Sequence, residues 1–124
     1  MANVDYLLLA VADPLQSAEI YGQILEAEPV SAAKTFVLYV LPNRLKLGLW
    51  QKEDMLPLTG KPDGVDVSFS VADNDAVRAL YTRWTGLGLK VLQEPTDMDF
   101  GFTFTVADPD GHRLRAFALN DDPR

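Results

Sequence analysis

The chain has 124 residues, of which 48% are hydrophobic and 23% charged, with no cysteine and a formal net charge of −7. This length and balance fit one globular domain, and the lack of cysteine excludes disulfides and thiolate metal sites. The acidic charge argues against nucleic-acid binding, and no apolar run approaches the roughly 18 residues that cross a bilayer. We therefore expect a cytoplasmic protein without a nucleic-acid or membrane partner.

The first half of the chain predicts a strand, a helix and a hairpin. Residues 4–11 are apolar and typical of a strand. Asp13 is placed to cap a helix and Pro14 occupies its first turn, where a missing N–H costs nothing. Residues 36–41 and 45–50 form a predicted hairpin. The predicted core stripe of the helix is Leu15, Ala18, Tyr21 and Leu25.

The second half opens in the same way. Residues 65–71 alternate between apolar and polar side chains, the pattern of a half-buried strand. Asp73 is the predicted cap of the next helix. The predicted core stripe of this helix is Val77, Leu80, Trp84 and Leu87.

Three further strands are predicted after the second helix, over residues 89–92, 100–106 and 114–118. Asp97 and Asp99 are expected in a loop, and the polar tail from Asn120 is expected to fray. The aromatic residues expected to face the helix are Phe100, Phe102 and Phe104.

An internal repeat organises the chain. A shift of sixty residues aligns Val11-Ala12-Asp13 with Val71-Ala72-Asp73. The repeat predicts one domain, residues 1–124, built from two βαβββ modules over residues 3–51 and 64–119, joined by a linker at 52–63. The fold class is α+β, with curled mixed sheets. One helix covers one face of each sheet, so the other face is expected to form a ligand cleft.

The element order, together with the turn sequence Asp-Pro-Asp-Gly-His-Arg-Leu at residues 108–114, resembles the vicinal oxygen chelate superfamily of glyoxalases, bleomycin resistance proteins and dioxygenases. The resemblance covers residues 3–119. Three stretches are similar to phenazine antibiotic resistance proteins in particular: residues 47–50, 93–101 and 108–115.

The resemblance implies four places where metal-dependent members carry their ligands, which fall on Tyr6, Gly48, Asp66 and Arg115. The family expects His, Gln or Glu there. Glycine has no side chain, arginine is a fixed cation, and tyrosine is a poor donor at neutral pH, so only Asp66 suits a divalent ion. The resemblance therefore points to a metal-free member that needs no cofactor and carries no assigned catalytic residue.

Trp50 is the first candidate for ligand contact in the cleft. It lies two residues after Gly48, so both positions face the same side of a strand. An indole beside a residue without a side chain predicts a flat slot for a planar aromatic ligand. Tyr6 is expected either to donate a hydrogen bond to the ligand or to pack.

Arg115 and Asp66 are expected to converge within the second module. One interpretation is a salt bridge that fills an abandoned metal site. The other is that Arg115 clamps a carboxylate or carbonyl of the ligand, while Asp66 orients Arg115 or binds a ligand amine. Ser68 points the same way as Asp66 and is expected to line the pocket floor.

These observations predict a metal-independent protein that binds a planar aromatic antibiotic or natural product and confers resistance by sequestering it. The resemblance implies a homodimer with the clefts at its interface. One alternative is a metal-independent isomerase or lyase with Asp66 as base and Arg115 as oxyanion stabiliser. Another is a carrier or accessory protein of a biosynthetic cluster.

Overall fold

The same order of one strand, one helix and three strands occurs twice along residues 2–120, which this computed structural model describes. The first copy contains β1 (Tyr6–Val11), α1 (Pro14–Leu25), β2 (Ser31–Ala32), β3 (Phe36–Val40) and β4 (Lys46–Gln51), followed by a 3-10 turn at Lys52–Asp54. The second contains β5 (Asp66–Ser70), α2 (Asn74–Gly86), β6 (Lys90–Met98), β7 (Gly101–Ala107) and β8 (Arg113–Leu119). The chain divides into two compact units between Gly60 and Lys61.

Each module folds around its own four-stranded mixed sheet. The strand order is β1-β4-β3-β2 in the first module and β5-β8-β7-β6 in the second. In both, the first strand runs parallel to the last strand of the module, and the other pairs are antiparallel. Leu8 lies opposite Gly48, and Ser68 lies opposite Arg115, so the registers agree with a shift of 60 residues for the first strands (68 − 8) and of 67 for their partners (115 − 48). The predicted α+β class and βαβββ order are confirmed.

Both predicted helix caps are present. The Asp13 carboxylate accepts a hydrogen bond from the Gln16 amide at 3.3 Å, and Asp73 accepts one from Ala76 at 2.8 Å. Each bond satisfies an amide that the first helical turn leaves without a partner. Over residues 2–120, no helix is both long enough and apolar enough to cross a bilayer.

The stripe predicted for α2 is confirmed at its centre. Val77 and Trp84 are fully buried. The Trp84 ring packs edge-to-face against Phe69 and Phe104, with ring centroids 5.0 and 5.3 Å away. Edge-to-face pairs of this kind add to the stabilisation from apolar burial. Trp84 is therefore the centre of the second core.

The stripe predicted for α1 is wrong by one residue. Tyr21 is buried as expected, but Leu15 remains 45% exposed. Two sets of residues at helical spacing contain Tyr21, and only one of them includes Ser17. The other set has more apolar residues and was therefore the one predicted. A serine hydroxyl can bond within its own helix, which lets Ser17 take a core position. The buried residues of α1 are Pro14, Ser17, Tyr21 and Ile24.

Two strand predictions need correction. The two-residue β2 has too few residues for its periodicity to be read, and it forms because it pairs with β3. The strand predicted at 89–92 continues to Met98, and Asp97 pairs with Phe102 instead of lying in a loop. Pairing with β7 holds this polar stretch extended, although β6 contains register shifts.

Phe102 and Phe104 are buried as predicted, but Phe100 is not part of that row. Its ring packs against Phe117, at 6.1 Å between centroids, on the opposite side of the sheet. The chain leaves the regular alternation at Gly101, whose φ of 156° breaks the expected pattern. Asn120 is held by its backbone amide and its side chain, and the rest of the predicted tail lies outside the described residues.

Tyr39 gives the first core an alkaline pH dependence. Its buried hydroxyl donates to the Ala18 carbonyl at 3.0 Å. Burial, and to a smaller degree the Glu28 carboxylate, raises the pKa of Tyr39 above its ordinary value of 10.0. The unfolded chain therefore loses this proton first, so the free energy of unfolding should fall as the pH rises above 10.0.

Tyr39→Phe should lower the free energy of unfolding by about 1 kcal/mol at pH 8, because it removes one hydrogen bond. The deficit should shrink at alkaline pH, because the variant has no phenol to ionise at this position. Urea unfolding at pH 8 and pH 10.5 measures both effects, with the exposed phenol removed by Tyr6→Phe as the matched control. A deficit independent of pH would contradict this account.

Candidate functional site

In the first module, the sheet face opposite α1 carries three of the candidate residues. The register pairs Tyr6 with Lys46, Leu8 with Gly48, and Ala10 with Trp50. Paired residues point to the same side of a sheet, and every second residue along a strand shares that side. Tyr6, Gly48 and Trp50 therefore lie on one face, in successive rows.

The flat slot expected at Gly48 is filled by neighbouring side chains. A Cβ atom at Gly48 would lie 2.7 Å from the Phe36 ring and 2.8 Å from a Leu8 methyl group. The space that a side chain would take therefore belongs to Phe36 and Leu8. The prediction of an open slot is wrong, because the cross-strand neighbours of a glycine lean into the space above its backbone.

The aromatic surface of this face is built by two rings. Phe36 lies directly opposite Trp50 in the register, and the rings meet edge-to-face with centroids 6.3 Å apart. Trp50 is partly exposed, so part of its side chain is open to contact with a ligand or partner. At the other end of the face, the Lys46 ammonium lies 5.1 Å from the centre of the Tyr6 ring, and Tyr6 is 46% exposed.

In the second module, the corresponding face is polar. The parallel register pairs Asp66 with Arg113, and Ser68 with Arg115. Arg115 Nε donates to Asp66 Oδ2 at 2.8 Å. Arg113 Nε lies 2.7 Å from Asp66 Oδ1 as an ion pair without hydrogen-bond alignment. The structure thus brings Asp66 and Arg115 together, as predicted, and adds a second guanidinium group to the same carboxylate.

Arg115 is held in place by neutral groups as well. Its Nη1 donates to the Gln93 side-chain oxygen at 3.1 Å and to the Thr103 hydroxyl at 3.2 Å. Thr103 in turn donates to the Ala116 carbonyl, and the Thr105 hydroxyl donates to Gln93. With three anchored N–H groups, the guanidinium has a fixed orientation on the sheet.

Sequence reasoning missed Arg113, Gln93 and Thr103 as members of this site. Arg113 could have been predicted from the sequence, because residues two positions apart on a strand share a face and Arg115 was already a candidate. The contribution of Gln93 had no such signal. The position of Gln93 depends on the register between β6 and β7, and irregularities in their pairing shift that register on both sides of Gln93.

The four positions do not fit a divalent ion. Gly48 offers no donor and its space is filled, Arg115 is a cation, and the Asp66 carboxylate is already engaged by two guanidinium groups. Between Ala2 and Asn120, no group of three or more His, Cys, Asp or Glu side chains is arranged to hold a metal ion.

Comparisons with known proteins agree with this architecture. Residues 3–116 match the model of the glyoxalase/bleomycin resistance protein/dioxygenase superfamily. The chain is 26% identical to the phenazine antibiotic resistance protein EhpR of Enterobacter agglomerans over 116 residues, covering 91% of this chain and 89% of EhpR.

Two solved structures share the fold. Protein ATC0852 of Agrobacterium tumefaciens is 38% identical, with a TM-score of 0.90 and coverage of 97% of this chain and 99% of that chain. A glyoxalase-related enzyme of Fulvimarina pelagi is 21% identical, with a TM-score of 0.85 and coverage of 100% and 96%. This chain belongs to the glyoxalase/bleomycin resistance protein/dioxygenase superfamily.

Proposed function

We propose that this protein binds a planar aromatic small molecule without a metal ion and protects the cell by sequestering it. The observation that carries the proposal is the closed contact between Asp66 and Arg115, 2.8 Å from Nε to Oδ2. It neutralises the only carboxylate among the four family ligand positions. The likeness to a phenazine antibiotic resistance protein supports an aromatic ligand and a role in resistance.

Trp50 is the residue that we assign to the ring of the ligand. Its indole is partly exposed and is braced by Phe36 from the neighbouring strand. Flat rings stack on indole faces and gain about 0.5–1.5 kcal/mol beyond the burial of area. Gly48 acts indirectly, since its missing side chain lets Phe36 approach the sheet beside Trp50. Tyr6 is assigned to the edge of the same face.

The polar face of the second module favours binding over proton transfer. A general base needs a free oxygen within reach of the substrate. Both oxygens of Asp66 lie against guanidinium groups, so taking a proton would require breaking an ion pair. We therefore assign Asp66 to the orientation of Arg115, and Arg115 and Ser68 to ligand contact.

The proposal includes a homodimer, with the ligand sites at its interface. Exposed apolar side chains on the sheet face of the first module support it: Tyr6, Leu8 and Val40 are 46%, 44% and 42% exposed. Exposed apolar groups that share one face are typical of interaction surfaces. Light scattering coupled to gel filtration tests the assembly, and a monomer at micromolar concentration would contradict this part of the proposal.

Calorimetric titration with phenazine, acridine and naphthalene derivatives tests the function. We expect saturable binding of flat aromatic compounds, none of saturated rings of equal size, and no change on adding EDTA or Zn²⁺. Trp50→Ala should weaken binding roughly tenfold, because it removes the stacking surface and opens the site to water.

Trp84→Phe is the matched control for the binding experiment. It alters the other tryptophan of the chain, which is buried in the core, and should leave affinity unchanged. Absence of binding across the aromatic panel by a folded protein would overturn the proposal. So would a stoichiometric metal ion whose removal abolishes binding.

A further inference from the structure

We propose that the polar face of the second module is an oxyanion site built by Arg113 and Arg115, so that the preferred ligands are aromatic carboxylates. This inference rests on the proposed function and specifies its ligand class. Asp66 is the carboxylate that holds both guanidinium groups on this face. Two guanidinium groups and one carboxylate give this cluster a formal charge of +1, in a chain of net charge −7.

The hydrogen-bond donors of the site are unevenly used. The Nε of Arg115 donates to Asp66, and its Nη1 donates to Gln93 and Thr103. Its Nη2 has no partner among the described residues, although the side chain is only 17% exposed. Because Nε and Nη1 are held by protein groups, Nη2 is the nitrogen left to donate a charge-assisted hydrogen bond to one oxygen of a ligand carboxylate.

Arg113 extends the site toward solvent. Its side chain is 40% exposed, and its Nε forms the ion pair with Asp66. The register also places Lys90 in the same row, since Lys90 pairs with Ala107 and Ala107 pairs with Arg113. Positive groups therefore line this end of the face, and they attract anions and repel ammonium groups.

A second aromatic surface, besides Trp50, lies two residues beyond Arg115 on the same strand. Phe117 shares the face of Arg115, and Phe100 packs against it edge-to-face at 6.1 Å. Alternate residues of a strand are about 7 Å apart. An aromatic acid held by its carboxylate at Arg115 can therefore also contact Phe117, which adds to the aromatic surface that we assign to Trp50.

Three compounds with one ring system and different charge test the inference. We expect 2-naphthoate to bind roughly tenfold more tightly than 2-naphthamide, and 2-naphthylmethylammonium to bind most weakly. The preference for naphthoate should shrink as salt rises from 20 to 500 mM, because salt screens the attraction. Calorimetry at constant pH measures all three affinities.

Substitutions of the two arginines test which residue causes the preference for naphthoate. Arg115→Gln should reduce naphthoate affinity roughly tenfold or more and naphthamide affinity by a clearly smaller factor, because a carboxylate accepts a stronger hydrogen bond from arginine than a neutral amide does. Arg113→Gln should have a smaller effect of the same kind. Arg78→Gln is the matched control, because it removes one positive charge from the helix side of the same module, where Arg78 pairs with Asp75. Circular dichroism establishes that each variant is folded.

The outcomes separate this inference from the proposed function. Binding of all three naphthalenes with equal affinity, or a preference for the ammonium compound, would overturn the oxyanion site and leave aromatic binding intact. Equal losses in Arg115→Gln and Arg78→Gln would also overturn it, since the effect would then be one of overall charge. Absence of binding by every compound would overturn both.

Discussion

Trp84→Ala should lower the free energy of unfolding by about 3–5 kcal/mol, the range for deleting a large buried aromatic side chain. Trp84 is fully buried and contacts both Phe69 and Phe104, so its removal leaves a cavity between α2 and the sheet of its own module. Urea unfolding followed by far-ultraviolet circular dichroism measures the loss without relying on tryptophan fluorescence.

Two comparisons make this experiment specific. Trp84→Phe keeps an aromatic ring and removes the indole N–H, which is buried without a hydrogen-bond partner, so it should cost less than half as much. Trp50→Ala should cost roughly 1 kcal/mol, because the indole of Trp50 is partly exposed. If the two alanine variants were equally stable, the separation into a core tryptophan and a ligand-facing tryptophan would be wrong.

Gly101→Ala should cost roughly 2–4 kcal/mol, because no room exists for a side chain where β7 begins. A Cβ atom at Gly101 would approach the carbonyl of Ala118 on β8, at 2.0 Å from its oxygen. Backbone atoms cannot rotate away as a side chain can, so β7 and β8 must separate there. That movement would disturb Thr103, which supports Arg115.

Gly86→Ala is the matched control. Gly86 is the last residue of α2, and a Cβ atom there would meet nothing within 4 Å. This substitution should be neutral or stabilise the fold by about 0.5–1 kcal/mol, because alanine favours the helical conformation. The two variants are compared by urea unfolding. Equal stability would contradict the close approach of β7 and β8.

The separation of the two faces explains why stability and binding should respond to different substitutions. On the α2 side of the second sheet, Trp84 and its aromatic neighbours form the core. On the other side, Arg115 and Asp66 form a polar network that is partly exposed. Alternation along each strand produces this division, since neighbouring residues point to opposite sides of a sheet.

The sequence by itself determined the module plan, because the repeat and the period of two along the strands are local properties. The shift of sixty pairs Tyr6 with Asp66, which occupy equivalent positions at the start of β1 and β5. The helix caps at Asp13 and Asp73 could also be predicted from the sequence, because each cap joins two residues only three positions apart. Arg115 and Asp66 were brought together correctly because both belong to one module.

The tertiary structure alone decided which neighbours fill or complete each position. The missing side chain of Gly48 predicts an open slot, but Phe36 and Leu8 fill that space from the adjacent strands. The place of Gln93 beside Arg115 depends on strand pairing between residues 22 positions apart, across an irregular register. Contacts of this kind depend on packing between strands that are distant in the chain, and periodicity along a single strand carries no information about them.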